Sequence, residues 1–436
     1  MRGDLRRPGR APAHALLPRR EGRLSPHRLV SHRFGSHRAP TDKESAPMHD
    51  PQSGLAFYRP FMPIFLGLFF CHLGIGATLS VLPFYVKDAI GGSDVDVGTV
   101  IAAIAVAVVL TRPVAGRLSD RIGHKKLMLL GALFCVLAGA AYLVAHRVDA
   151  LIAVRVLHGI GEGCAFTAGA TWLVGLAPAE RRGKIIGLYG VSMWSGVTLG
   201  ALVGAALMQA AGFTAVWVLC IAAPLAGFAC VLSKPAPVKA QAATKSALFP
   251  RSAFLPGFTL ALGSMGYAAL ASFVSLYMAA KGIENGILAF NVFGFAYVGS
   301  RLFLGHWPDQ LGPYRVALWA ALGEAAGLLL LAVAPNLAVA VLGGLAMGLG
   351  LSLLYPSLAL IVIRKTEAAH HGAALGMFTS FWDLGIAAGG VVAGFVAARF
   401  GYAEIYGVML AATLASMVGV MLLWMPQRTP RRSLPQ

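Results

Sequence analysis

The sequence predicts an all-α membrane protein: twelve transmembrane helices in two six-helix bundles, related by a pseudo-twofold axis along the membrane normal. Three observations carry that prediction. The 436 residues are 57% hydrophobic and only 12% charged, about half the charged share of a soluble domain. Apolar runs long enough to cross about 30 Å of hydrocarbon recur along the chain. In lipid each run must satisfy its own backbone polar groups, so each should be a helix. A charged skeleton between such runs returns at a fixed offset: Arg112, Gly116, Asp120, Gly123 and Lys126 are matched 189 residues later by Arg301, Gly305, Asp309, Gly312 and Arg315.

Taken in order, residues 1–58 form a basic tail rich in Arg, Pro, His and Ser, without the apolar periodicity a core needs. Three readings of residues 1–47 stay open: a start codon set too early, with the true start at Met48; a disordered arm; or an organelle transit peptide. Residues 59–233 hold the first bundle, with apolar segments at 60–86, 94–116, 126–146, 149–176, 185–210 and 213–233. Residues 234–251, with Lys234, Pro235, Pro237, Lys239 and Lys245, are a polar linker. Residues 252–425 hold the second bundle, with segments at 252–280, 286–306, 316–334, 337–363, 373–397 and 402–425, and 426–436 form a short tail.

The repeat extends past the charged skeleton. Gly183 and Gly187 match Gly372 and Gly376, Gly196 and Gly200 match Gly385 and Gly389, and Gly212-Phe213 matches Gly401-Tyr402, all at the same 189-residue offset. Parallel six-helix halves of this kind are one of the known transporter plans. The fifty-two glycines suit it, because small residues let membrane helices approach closely. Arg117, Arg121, Lys125, Lys126, Arg181, Arg182, Lys184, Lys234, Arg315, Arg364 and Lys365 fall on one side of the bundle. The opposite side carries only Lys87, Arg147, Lys281 and Arg399, mixed with acidic residues. The rule that Lys and Arg mark the inner side places both termini and the linker in the cytoplasm.

Several function classes are excluded or disfavoured. The net charge of +18 would suit nucleic acid on a soluble domain, but no such domain exists to present it, so the charge is read as membrane orientation. No GxxxxGK[ST] loop, HExxH or Ser/His/Asp grouping occurs, which argues against an ATP-driven pump or an enzyme. Cys71, Cys135, Cys164, Cys220 and Cys230 lie in apolar runs without a CxxC pair, so neither a disulfide framework nor a metal site is expected. His370-His371 reads as a solvated loop pair, and no cofactor is called for.

The run Gly116-Arg117-Leu118-Ser119-Asp120-Arg121-Ile122-Gly123-His124-Lys125-Lys126 matches the loop 2–3 signature of the major facilitator superfamily, and residues 55–425 resemble that family. Arg155-Val156-Leu157-His158-Gly159-Ile160-Gly161 resembles the helix-4 arginine motif of its proton-driven members. Thr111-Arg112-Pro113 through Gly123, with Gly161-Glu162-Gly163, looks most like bacterial drug:proton antiporters and sugar-efflux-like members. Gly196, Gly200 and Gly204 keep the glycine spacing of the helix-5 antiporter signature but lack its Gly-Pro pair. The resemblance implies a multi-pass protein of the bacterial cytoplasmic membrane, moving a small organic compound by alternating access, proton-coupled and outward, and working as a monomer. Uptake, or a receptor or scaffold on the same fold, are the alternatives. It also implies a latch in which Asp120 meets the positive N-terminal end of helix 11 near Gly372, with Arg112 and Arg121 as partners and Arg301, Gly305, Asp309 and Gly312 as the second copy. The alternative is that these charges only set topology.

Membrane-depth charges mark the candidate transport site, since each is costly in lipid. Arg155, His158 and Glu162 stand at i, i+3 and i+7 of helix 4, on one face with Gly159. A carboxyl there, near an arginine, has the makings of a proton carrier. A fixed ion pair is the alternative. Asp383 on helix 11 is a second candidate for binding a proton or a cationic substrate, or else for a bond to helix 2 or helix 8. His72 reads as a buried helix contact or a proton-path member, and Glu324 as packing within helix 9. Tyr267, Phe273, Tyr277, Tyr355 and Trp382 are candidates for lining the substrate cavity, with ordinary packing the alternative for each.

Overall fold

The computed structural model describes residues 55–178, 181–235, 251–367 and 371–425. The basic tail apart from 55–58, the linker from 236 to 250, His370 and the final segment from 426 lie outside the described residues. The crossing helices are α1 Met62–Phe84, α2 Asp94–Ile122, α3 His124–Tyr142 and α4 Val148–Leu176. Next comes a single 51-residue helical run, Arg182–Leu232, then α7 Phe254–Ala280, α8 Ile287–Leu304, α9 Pro313–Val333, α10 Leu337–Arg364, α11 His371–Arg399 and α12 Tyr402–Trp424. Among the described residues, eleven helical runs are long and apolar enough to cross a membrane. The 51-residue run counts once among these eleven but holds two helices in sequence, because Gly212 at φ 75°, ψ −173° leaves helical geometry and lets the chain reverse. Residues 182–211 are α5 and 213–232 are α6, which gives twelve crossing segments among the described residues.

The duplication seen in sequence is repeated in backbone geometry. Gly123 ends α2 at φ 93°, ψ 146°, and Gly312 precedes α9 at φ 93°, ψ 135°. Such angles are strained for any residue with a Cβ, so glycine is needed at both turns. Gly401 at φ 117° separates α11 from α12 as Gly212 separates α5 from α6.

One expectation needs correction. The apolar pattern ends at 116, yet α2 continues to Ile122, so Asp120 and Arg121 stand on helix and not in a loop. The helix can continue because the backbone still bonds within itself, down to Gly123 N–H on the Ser119 carbonyl. The second copy differs: α8 ends at Leu304, and Pro308, which lacks an N–H, sits in a separate turn of helix, Trp307–Gln310.

Within the first lobe α1 packs along α5 and α6, α2 on α4, and α3 on α4 and α6; within the second, α7 packs on α11 and α12, α8 on α10, and α9 on α10 and α12. Between lobes the main pairs are α2 with α11 and α5 with α8. These two pairs exchange under the duplication, as a twofold relation requires.

The lobes meet tightly at the end away from the repeated charged skeleton. Gly98 of α2 packs on the Gly390 carbonyl, and a Cβ on Gly98 would lie 3.0 Å from Gly394 Cα. Gly294 of α8 faces Thr198 of α5. Tyr402 donates to Asp94 Oδ1 across the lobes at 2.9 Å, and Lys87 pairs with the same oxygen at 3.0 Å. At the other end Gly116, Gly187 and Gly376 have open space where a Cβ would stand. The protein is therefore closed at one end and parted at the end bearing the loop skeleton.

Candidate functional site

Where the closed and parted regions meet, charged side chains from both lobes converge. Arg112 of α2 reaches Asp383 of α11, with Nη1 3.1 Å from Oδ2 and Nη2 3.4 Å from Oδ1. Both are largely buried, with side-chain exposures of 11% and 7%. The guanidinium also lies 4.5 Å from the centroid of Phe166. Only the Nη2–Oδ1 contact has hydrogen-bond geometry; Nη1 and Oδ2 meet as an ion pair, and Asp383 Oδ2 and Arg112 Nε have no hydrogen-bond partner.

Glu162 of α4 lies beside it, with Oε1 4.0 Å from His72 Nε2 of α1. His72 Nδ1 is 2.8 Å from the Leu68 carbonyl, so Nδ1 carries a proton and donates it there. Nε2 of the neutral ring is then a lone pair facing a carboxylate, and it has no hydrogen-bond partner. The contact becomes attractive only when a proton sits on Glu162 or on Nε2.

Arg155 and His158 stand deeper in the first lobe. Arg155 is fully buried, donating from Nε to the Val100 carbonyl at 3.2 Å and from Nη1 to Thr78 Oγ1 at 3.1 Å. It ties α4 to α1 and α2 and does not pair with Glu162. His158 contacts the Tyr142 hydroxyl at 3.4 Å.

The second lobe contributes an aromatic cluster, into which one ring of the first lobe inserts. Trp194 of α5 lies 4.0 Å from Tyr297, 5.3 Å from Tyr267, 5.9 Å from Trp382 and 6.4 Å from Phe293, centroid to centroid. Tyr355 bonds Thr379 at 2.7 Å and flanks Arg301. Thus Tyr267, Trp382 and Tyr355 stand at the lobe interface.

Phe273 and Tyr277 do not. Phe273 packs on Tyr402, and Tyr277 packs on Tyr406 and donates to the Ala332 carbonyl at 3.2 Å. They share a helix face, but that face is turned into the second lobe against α9 and α12. Helical spacing says which residues share a face, and only packing says where it points.

Asp120 is exposed and makes no hydrogen bond or ion pair among the described residues, while Arg121 and Asp309 are also exposed. The expected contact of Asp120 with the start of α11 is not made in this conformation, because the lobes are parted there. Glu324 is fully buried inside the second lobe, close against Gly263 and Gly266 of α7, with both carboxylate oxygens unpartnered. It lies away from the lobe interface. His371 bonds the Thr366 carbonyl at 2.9 Å.

Sequence reasoning allowed Asp383 a bond to helix 2 or helix 8 but did not name Arg112 of helix 2 as the partner, having set it among the latch residues. It also missed Phe166, Trp194, Phe293 and Tyr297. A usable signal was present: Asp383 minus the 189-residue offset is Trp194, and Arg112 plus it is Arg301.

Two pseudo-symmetric six-helix lobes around a charged interface define a multi-pass membrane transporter and not an enzyme. The Major Facilitator Superfamily model matches residues 64–290 and 257–436, and the chain belongs to that family. It is 33% identical over 383 residues to an uncharacterized MFS-type transporter of Burkholderia mallei (strain SAVP1), covering 85% of this chain and 93% of that one. It is 31% identical over 404 residues to the uncharacterized MFS-type transporter YhhS of Escherichia coli (strain K12), covering 89% and 98%. A mutant of the nucleoside transporter NupG superposes with a TM-score of 0.69 at 14% identity, over 84% of this chain and 99% of that one. The human organic anion transporter MFSD10 gives 0.64 at 19%, over 83% and 99%. At these identities the solved structures share the fold alone.

Proposed function

We propose that this protein is a proton-coupled exporter of a small organic compound that works by alternating access in the cytoplasmic membrane. The loop-bearing end would face the cytoplasm, in line with the Lys and Arg found there. The observation that carries the reading is the Arg112–Asp383 pair bridging the lobes, with the His72–Glu162 contact beside it. Rocking the lobes apart at this depth must break the pair and leave Asp383 a carboxylate in need of a proton or a ligand. Glu162 shares an electrostatic neighbourhood with Arg112 and Arg155. It gains or loses that neighbourhood as α2 moves, so proton loading and lobe motion are linked.

Flux in proteoliposomes tests this. An imposed pH gradient should accelerate wild-type transport, and Glu162→Gln and Asp383→Asn should each make flux indifferent to the gradient. Wild-type flux that ignores the gradient would remove proton coupling. Gradient-driven accumulation on the loop-bearing side would replace export with uptake.

A further inference from the structure

The duplication makes a testable demand on the lobe interface. The Arg112 environment has three parts: the guanidinium on α2, the Phe166 ring on α4 beneath it, and Asp383 on α11 as counter-ion. Adding or subtracting the 189-residue offset generates the second copy: Arg301 on α8, Tyr355 on α10 and Trp194 on α5. The structure preserves the first two parts. Arg301 lies 5.7 Å from the Tyr355 ring centroid, as Arg112 lies over Phe166. The third part is broken, because the position equivalent to the carboxylate holds an indole.

Arg301 is consequently a cation without its counter-ion. Among the described residues no carboxylate lies within 4.0 Å of it. Its Nη1 donates to the Ser352 carbonyl at 3.2 Å, while Nε is buried without a partner. The unused Nε–Nη2 edge faces α5 of the other lobe at a glycine. A Cβ added at Gly190 would lie 3.7 Å from Nη2 and 4.0 Å from Nε. That edge is the one that grips a planar anion with two parallel hydrogen bonds. Around it stand Tyr297, also 5.7 Å from the guanidinium, and Tyr355, with Trp194 tilted at 32° against Tyr297. The two carboxylates described at the interface are otherwise placed: Asp383 of α11 is paired with Arg112, and Glu162 lies in the first lobe by His72.

We infer that Arg301 is the anion-binding residue of the substrate site, and that the transported compound is a small organic anion with a planar or aromatic body. The acid group pairs with the Nε–Nη2 edge and supplies the negative charge that Asp383 supplies to Arg112, and the body packs against Tyr297, Tyr355 and Trp194. This rests on the transporter reading above and narrows its substrate class.

The test is equilibrium binding to the purified full-length protein in lipid nanodiscs, with matched probes: benzoate and phenylphosphonate as anions, benzamide as the neutral analogue and benzylammonium as the cation. The wild type should bind the anions about tenfold or more tightly than the other two. Arg301→Gln should remove that preference, and Arg301→Lys should keep part of it. Trp194→Asp, which restores the symmetric counter-ion inside the protein, should abolish anion binding as well. Thermal unfolding and gel filtration establish that each variant is folded. A wild type with no preference for the anions, or an Arg301→Gln variant that keeps it, overturns the inference. Binding needs no pH gradient, so its failure leaves proton-coupled flux standing, and anion binding without gradient-driven flux would leave this site standing alone.

Discussion

Arg112 was set by sequence among the latch residues, and by position it belongs to the charged lobe interface, which explains its cost. A guanidinium at this depth needs a counter-ion, and it takes one from the opposite lobe. Removing one member of such a pair strands the other, at about 3–5 kcal/mol, while removing both is far milder. Arg112→Gln and Asp383→Asn should therefore each lower the thermal unfolding midpoint, and the double variant should recover much of the loss. All three should transport at least tenfold more slowly than wild type. Equal stability in the four proteins would mean that the pair contributes nothing to closure.

The elements that close the lobes are α2 and α11, and they do so through absent side chains. Gly98, Gly390 and Gly394 bring backbone against backbone, with the Asp94 carbonyl 2.7 Å from where a Cβ on Gly394 would stand. A methyl group at Gly98 has no room, so Gly98→Ala should push this end apart and favour the opposite state. Spin labels on Gly116→Cys and Gly376→Cys, at open positions of the parted end, would report it. The native cysteines would first be replaced. The label distance should shorten in the Gly98→Ala background, and an unchanged distribution would show that this contact does not set the balance. α5 and α8 form the symmetric pair, but there Thr198 meets Gly294. The two seams are thus not equivalent in chemistry, although they are in topology.

At the scale of the whole molecule, the parted end leaves Asp120 exposed and unpaired among the described residues. If that end closes during the cycle, Asp120 comes toward the start of α11, where the helix dipole favours an anion. Asp120→Asn should then cut flux about tenfold with membrane insertion unchanged, as judged by fluorescence of a fused reporter alongside transport. Full activity would reduce Asp120 to a topology signal. The other end has its own polar closure in Lys87, Asp94 and Tyr402.

The sequence by itself determined the membrane class, the twelve crossings and the duplication. Lipid forces each apolar run to be a helix, and a repeat at constant offset survives in the glycines that turn the chain, such as Gly123 with Gly312. It also marked Glu162, Asp383 and Arg155 as costly. Tertiary structure alone decided which of them meet: Asp383 found Arg112 on the other lobe, Glu162 found His72, and Arg155 was spent on holding α1, α2 and α4 together. It likewise sent Phe273 and Tyr277 into the second lobe and Trp194 across the interface. The physical reason is that hydropathy depends on a segment alone, whereas a charge pair depends on two segments 271 residues apart being rotated and tilted until their side chains touch.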